Sequence, residues 1–199
     1  MNRIRPILRF TAALALSAGA LLGGAAHAAN ATAVFAGGCF WCTEADFEKL
    51  PGVIAAESGY TDGKEPNPTY KTVSAGMTSH TEAVRVTYDP AKVTYAQLVE
   101  YFWKTIDPSE KDRQFCDAGT QYRSGMYWGS EAERQTVLAS REALQKTSRF
   151  KTIHTETKPA TTFYLAEDYH QDYYKKNSVR YNYYRLSCGR DDQLKRVWK

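Results

Sequence analysis

After residue 28 the chain contains no internal repeat, no low-complexity run and no proline- or serine-rich linker. Those absences exclude a repeat array and a string of tandem domains, and roughly 170 residues suffice for one domain with a substantial core. No adjacent arginine pair stands near the start, which removes a twin-arginine export route. The apolar stretch from Phe10 to Leu22 is too short and too rich in small residues for a helix that crosses a bilayer, which needs about 20 apolar residues. Cys39 and Cys42 have no second closely spaced ligand pair elsewhere, so a structural zinc site is not expected, nor any other metal or cofactor. An excess of one charge is also lacking. Lys and Arg number 26 against 22 Asp and Glu, but Arg3, Arg5 and Arg9 all precede residue 28. The remainder is close to neutral and offers no reason to expect a nucleic-acid partner.

What is present begins with an export leader. Arg3, Arg5 and Arg9 form a basic region, Phe10 to Leu22 an apolar one, and Ala26-His27-Ala28 places small residues where a signal peptidase reads them. Cleavage after Ala28 is expected, leaving a single domain over residues 29–199 that is exported to the periplasm and is monomeric. Cys39, Cys42, Cys116 and Cys188 then face an oxidising compartment, where disulfides are the default.

Periodicity organises the rest. Thr32–Ala36 reads as a buried strand, and Phe40, Phe47 and Leu50 recur at helical spacing until Pro51-Gly52. Val53–Tyr60 and the alternating Glu82–Tyr88 read as strands, joined by a long connection from Thr61 to Thr81 of the kind that is often functional. Thr94 and Gln97 form a capping box ahead of an apolar stripe of Tyr95, Leu98, Val99, Phe102 and Ile106, stopped at Asp107-Pro108. Ser130 with Glu133 starts another helix carrying Val137, Leu138 and Leu144. Further strands are expected near Gly125–Trp128, Ile153–Thr157 and Thr162–Tyr164. This mixture predicts an α+β fold, a two-layer arrangement in which helices cover a mixed sheet.

Cys39 lies between the first strand and the first helix, after Gly37-Gly38 and before Phe40-Trp41. Unpaired N–H groups and the helix dipole at such a junction favour negative charge, which lowers a thiol pKa from about 8.5 towards roughly 3.5–7.5. The glycines allow a tight turn, and the two aromatics offer an apolar wall to a substrate. The competing reading is a small buried hydrophobe, the commonest role of a free cysteine.

Other polar residues carry similar pairs of readings. Glu82 at the edge of an apolar strand is either a solvated strand end or a desolvated acid with a raised pKa. Asp117 and Tyr122 fall in a polar segment that could equally be a turn capped by Asp117. Tyr70 could be a packing aromatic, and His170 either a base or a hydrogen-bonded histidine.

Five segments taken together resemble one family. Gly38-Cys39-Phe40-Trp41, Pro66-Asn67-Pro68-Thr69-Tyr70, His80-Thr81-Glu82-Ala83-Val84, the run from Asp117 to Ser124, and Glu167-Asp168-Tyr169-His170-Gln171 resemble peptide methionine sulfoxide reductase A, in order, from about Val34 to Cys188. The resemblance implies a core related to the ferredoxin-like plait. It also implies reduction of methionine-S-sulfoxide, free or in proteins, recycled by a thioredoxin-like dithiol. It assigns the nucleophile to Cys39 and the proton donor to Glu82. Tyr70 and Tyr122 become hydroxyl donors to the sulfoxide oxygen, Asp117 orients the network, and Phe40 and Trp41 hold the substrate methyl group.

Reduction leaves a sulfenic acid on Cys39 that a second thiol must resolve. The resemblance points to Cys188, on a tail beyond the last helix. Cys42, one turn from Cys39, is the alternative, and Cys116 is either a buried thiol or a relay. Two other function classes compete: a thiol–disulfide oxidoreductase using Cys39 and Cys42, and an exported aromatic-rich binding module.

Overall fold

The computed structural model describes residues 29–199; the expected leader and its cleavage site lie outside the described residues. The first strand, β1 (Ala31–Gly37), leads through Gly38 and Cys39 into helix α1 (Phe40–Phe47). β2 (Val53–Thr61), a one-turn helix α2 (Tyr70–Ser74) and β3 (Thr81–Tyr88) follow. Next come α3 (Tyr95–Lys104), a ribbon of β4 (Arg113–Gln114) and β5 (Asp117–Ala118), a short 3-10 turn at Thr120–Tyr122, and β6 (Ser124–Trp128). The chain continues through α4 (Glu131–Lys146), β7 (Glu156–Pro159) and β8 (Tyr164–Leu165). It closes with α5 (Tyr173–Lys176), α6 (Ser178–Ser187) and α7 (Arg190–Val197).

Six strands form one sheet in the order β7-β6-β1-β3-β2-β8, antiparallel throughout except for the parallel β6–β7 pair. The inner four strands, β6-β1-β3-β2, with crossovers through α1 and α3, form the interleaved β-α-β units of the ferredoxin-like plait. β7 and β8 extend it at its two edges. The expected α+β architecture is therefore present.

Phe35 on β1 shows why two helices settle on one face. Its ring lies 4.8 Å from Phe47 of α1 and 5.1 Å from Phe102 of α3, all three fully buried. Truncating a phenylalanine in such a cluster costs about 3–5 kcal/mol. The Thr94 box forms as expected. Thr94 Oγ1 accepts from the Gln97 amide at 3.2 Å and Gln97 Oε1 accepts from the Thr94 amide at 2.9 Å. The Ser130 cap differs in one respect: Glu133 reaches back to the Gly129 amide rather than to that of Ser130.

Several expectations are corrected. Ile106 packs in the core but lies past the end of α3. The edge strands begin later than expected, at Glu156 and Tyr164, because only there does the backbone come into register with β6 and β2. The connection from Thr61 to Thr81 is not wholly irregular, since Thr69 caps α2 and places Tyr70 at its first turn. Cys188 is not on a tail beyond the last helix: it caps α6 and, with Gly189 at φ +66°, turns the chain into α7. Cys116 is not a buried thiol; it is exposed and bonded to Cys188.

Candidate active site

The site is assembled around the turn that ends β1. Gly38 has φ +83°, and a Cβ there would sit 2.6 Å from the Cβ of Gln114, so both the backbone sign and the close approach require glycine. The turn delivers Cys39 to the N-cap of α1, where its carbonyl accepts from the Cys42 and Thr43 amides at 3.1 and 3.2 Å. β3 neighbours both β1 and β2, and its register sets Glu82 opposite Tyr60. The carboxyl thereby comes under the start of α1, where Glu82 Oε2 accepts the Phe40 amide at 3.0 Å.

A cavity of about 60 Å³ results, lined by Cys39, Phe40, Trp41, Tyr70, Glu82, Asp117, Tyr122 and Tyr184. Cys39, Glu82, Tyr70, Asp117, Tyr122, Phe40 and Trp41, all singled out in the sequence, are on its wall, whereas Cys42, Cys116, Cys188 and His170 are not. A larger groove of about 550 Å³ between α3 and α4, beneath Trp198, carries no cysteine or histidine.

Electrostatics separates the groups. Glu82 is 2% exposed, and burial, reinforced by the charges of Asp117 and Cys42, pushes its carboxyl up to about 8 against the Phe40 hydrogen bond. It is a neutral acid at pH 7, not a solvated strand end. Burial likewise raises Tyr70, to about 12, and Tyr122, so both hydroxyls remain donors. Asp117 is raised by burial, while the Tyr184 hydroxyl donates to its Oδ2 and opposes the rise.

Cys39 departs from expectation. Its side chain is 6% exposed, and burial, with the hydrogen bond and charge of Cys42 and the charges of Glu82 and Asp117, raises its thiol well above the ordinary value. The helix terminus does not offset this, because the first amide of α1 is directed at Glu82 rather than at the sulfur. Cys42 is lowered to about 7 by the Cys39 hydrogen bond, assisted by Arg190 and Arg185. The two thiols ionise as a unit, and the hydrogen bond between their sulfurs favours the loss of one proton from the pair.

The aromatic walls are fixed from behind. Trp41 stacks on Tyr173 at 3.8 Å and donates its indole N–H to His170 Nδ1 at 2.9 Å. Tyr70 is held by its amide, which donates to Glu167 Oε1 at 2.9 Å, while Tyr60 donates to Glu167 Oε2. Phe40 packs between Tyr60 and Tyr70.

Tyr184 and Tyr173 lie outside the five sequence motifs, and Glu167 stands in the fifth with no role of its own. The one sequence signal for Tyr184 is its position four residues before Cys188, one helical turn. Cys188 is bonded to Cys116, so these sulfurs and Asp117 do not form a thiolate metal site. Glu44, Glu48 and Asp172 also cluster, but Ser58, Tyr174 and Lys175 already supply them with donors.

Comparison with known proteins agrees with this geometry. The family described as peptide methionine sulfoxide reductase matches residues 31–199. A curated relative from Caulobacter vibrioides, peptide methionine sulfoxide reductase MsrA 2, is 48% identical over 194 residues, 98% of each chain. Among solved structures, reduced Mxr1 from Saccharomyces cerevisiae superposes with a TM-score of 0.70 at 34% identity, covering 75% of this chain and 86% of that one. The yeast protein in complex with Trx2 is also similar, with a TM-score of 0.51 at 25% identity over 72% of this chain and 84% of that one. A cysteine, a protonated carboxyl and two tyrosines around one small aromatic cavity thus accompany a family match that spans the whole plait and its helical wrap, and the chain belongs to the peptide methionine sulfoxide reductase A family.

Proposed function

We propose that Cys39 is the nucleophile and Glu82 the proton donor in reduction of methionine-S-sulfoxide to methionine. The protein is a peptide-methionine (S)-S-oxide reductase. The observation that carries the residue assignment is a fully buried Glu82, neutral up to about pH 8, in the same cavity as the Cys39 sulfur. A sulfoxide oxygen leaves poorly unless it is protonated, and an acid that keeps its proton near neutrality meets that need. Tyr70 and Tyr122 add hydroxyl donors towards the same oxygen, while Phe40 and Trp41 enclose the methyl group.

The Cys39 thiol is hydrogen-bonded to Cys42, and the pair shares one ionisation that supplies the attacking thiolate. The Cys39 sulfur attacks the sulfoxide sulfur while Glu82 protonates the oxygen, which leaves as water, so an S–S bond joins Cys39 to the substrate sulfur. Water then adds to the Cys39 sulfur and that S–S bond breaks, which leaves a sulfenic acid on Cys39 and releases methionine as the thioether, reduced by two electrons.

Resolution by Cys188, which the family resemblance favoured, requires its bond to Cys116 to open first. Cys42 requires no such step: it is a free thiol hydrogen-bonded to Cys39. Its thiol condenses with the sulfenic acid to give a Cys39–Cys42 disulfide and water. A thioredoxin-like dithiol then returns the disulfide to two thiols, a role supported by the complex of yeast Mxr1 with Trx2. The Cys39–Cys42 spacing, which alone suggested a thiol–disulfide oxidoreductase, serves here as the resolving pair.

Removal of residues 1–28 and export of residues 29–199 as one domain place this repair outside the cytoplasm; the basic, apolar and Ala26-His27-Ala28 segments support that reading. N-terminal sequencing of the protein from a periplasmic fraction should begin at Ala29. The decisive assay supplies an S-configured methyl sulfoxide and dithiothreitol to purified protein. Thioether should form with wild type and not with Cys39→Ser, and an inactive wild type would overturn the assignment.

A further inference from the structure

Behind the reactive pair the fold buries a cation that the steps above do not use. Arg190, at the start of α7, donates through Nη1 to the Gly37 carbonyl at 3.1 Å and through Nη2 to that of Thr105 at 2.8 Å. Its guanidinium lies 4.5 Å from the centre of the Phe115 ring. None of these partners carries a formal charge. Among the described residues its one ion-pair partner is Asp46, and the match is loose: Arg190 Nη2 is 3.7 Å from Asp46 Oδ2. Both that oxygen and the Arg190 Nε–H are buried without a hydrogen-bond partner. Asp46 is held more closely by Arg185, at 2.9 Å, with the exposed Lys49 at 3.7 Å. A buried guanidinium is costly unless an anion answers it, and an unpartnered buried donor on that group marks room for a second negative charge.

The Cys42 thiolate can supply that charge. Asp46 stands four residues after Cys42 on α1, so the two share a face of the helix. Arg185 also donates to the Tyr181 hydroxyl at 3.0 Å, and Tyr181 packs in the buried cluster that holds Cys39 and Cys42. The arginines thus approach α1 on the side that carries Cys42. The two sulfurs share a hydrogen bond but face different charges: Arg190, Arg185 and Asp46 act on Cys42, whereas Glu82 and Asp117 act on Cys39. Access differs too. Cys39 is on the wall of the catalytic cavity, while Cys42 is 1% exposed and not on that wall. In thiol–disulfide exchange the attacked sulfur must be reachable, and the sulfur that departs must carry the electron pair away.

We propose that Arg190 is a positioning residue for recycling: it holds the Cys42 thiolate, so that the incoming dithiol attacks the Cys39 sulfur from the cavity and expels Cys42. The inference rests on the reductase reading above and adds to it the direction in which the Cys39–Cys42 bond opens. A donor thiolate bonds to the Cys39 sulfur, the Cys39–Cys42 bond breaks, and its electron pair leaves with Cys42. The second donor thiolate then attacks the donor sulfur of this mixed disulfide, and Cys39 departs with the pair of that bond. The donor ends as its own disulfide, oxidised by two electrons. Cys39 and Cys42 end as thiols, having taken up the two protons that the donor thiols released.

The test oxidises the purified protein with one equivalent of S-configured methyl p-tolyl sulfoxide. It is then mixed with a thioredoxin whose second active-site cysteine is replaced by serine, and the trapped mixed disulfide is located by peptide mass mapping. The donor should be on Cys39; a donor on Cys42, Cys116 or Cys188 overturns the direction. The part played by Arg190 is read from the equilibrium of the Cys39–Cys42 bond with reduced glutathione. Arg190→Gln should move it about tenfold towards the disulfide, because the thiolate loses its cation, and Arg190→Lys should restore it at least in part. No shift in Arg190→Gln, or an equal shift in Arg190→Lys, overturns the role. Should the variants not fold, the wild-type Arg190 Nε–H resonance supplies the answer. It should shift as the reduced pair ionises and stay in place over the same pH range once the Cys39–Cys42 bond has formed, and no shift in the reduced protein refutes the contact. Failure of the reductase reading would show earlier and differently, as no methyl p-tolyl sulfide released by wild type.

Discussion

The start of α1 and the junction of α6 with α7 each carry cysteines, and the two regions treat sulfur in opposite ways. Cys39 and Cys42 are buried, reduced and one turn apart on a single helix. Cys116 and Cys188 are separated by 72 residues and bonded to each other, with Cys116 exposed. The first pair is tuned by its surroundings: burial raises one thiol, while its hydrogen bond and two arginines lower the other. The second pair fastens a surface. Cys116 precedes Asp117, and Cys188 donates its amide to the Tyr184 carbonyl, so the bridge holds together the two residues whose side chains meet at the cavity mouth. Arginines join the regions. Arg190, 2% exposed, donates to the Gly37 carbonyl just before Cys39 and to that of Thr105, and Arg185 pairs with Asp46 of α1 at 2.9 Å. Sequence proximity thus built the reactive pair, and tertiary contact built the clamp.

The contrast breaks outright at Cys39. Cys39→Ser should abolish turnover while Cys188→Ser leaves sulfenic acid formation intact, measured as thioether released in a single turnover without reductant. Glu82→Gln comes next. It should lower kcat/KM by about 10²–10⁴-fold, the usual share of a general acid. The wild-type rate should fall as pH rises through about 8, where the carboxyl loses its proton, and the variant should lack that limb. Stability follows the same sign. The folded pKa is raised, so the protonated carboxyl favours the folded state fully below the unfolded value, and that contribution is lost as pH rises towards about 8. Urea denaturation of wild type and Glu82→Gln across pH 4–9 checks it.

Mapping disulfides after one equivalent of substrate sharpens the assignment of roles. A new Cys39–Cys42 bond is expected beside an unchanged Cys116–Cys188 bond, and Cys42→Ala should retain the sulfenic acid long enough for a dimedone adduct. Opening the clamp has a smaller effect on chemistry. Cys116→Ser with Cys188→Ser should cost about 2–4 kcal/mol of stability, the usual contribution of a bridge closing a long loop, read by denaturation under oxidising conditions. Smallest is Tyr184→Phe, which removes one hydrogen bond to Asp117 and should lower kcat/KM about two- to tenfold.

Legibility in the sequence divided along the same line. The α+β mixture was readable because alternation in Glu82–Tyr88 and the Thr94–Gln97 box are local consequences of backbone geometry, whereas the plait came from the family resemblance. The candidates around the cavity were readable because they fall in contiguous motifs. The direction of the Cys39 shift was not, since a helix-start argument could not know that Glu82 would take the first amide of α1. Nor were α5 to α7: their mean hydropathy is low, and α6 leaves Val179, Tyr183 and Leu186 exposed, so no single apolar stripe announced them. The partner of Cys188 was hidden for a related reason, because pairing depends on distances between segments far apart in the chain.

By itself, the order of residues determined the mixture of strands and helices and the glycine turn that presents Cys39, and the motifs that resemble a known family pointed to Glu82, Tyr70, Tyr122, Phe40 and Trp41. Only the folded chain decided how they behave: that Glu82 keeps its proton, that Cys39 and Cys42 share a hydrogen bond and titrate together, that Tyr184 reaches Asp117, and that Cys188 belongs to Cys116. Local pattern is a property of neighbours along the backbone, whereas pKa values, pairing and access are set by burial and by charges brought close from distant segments.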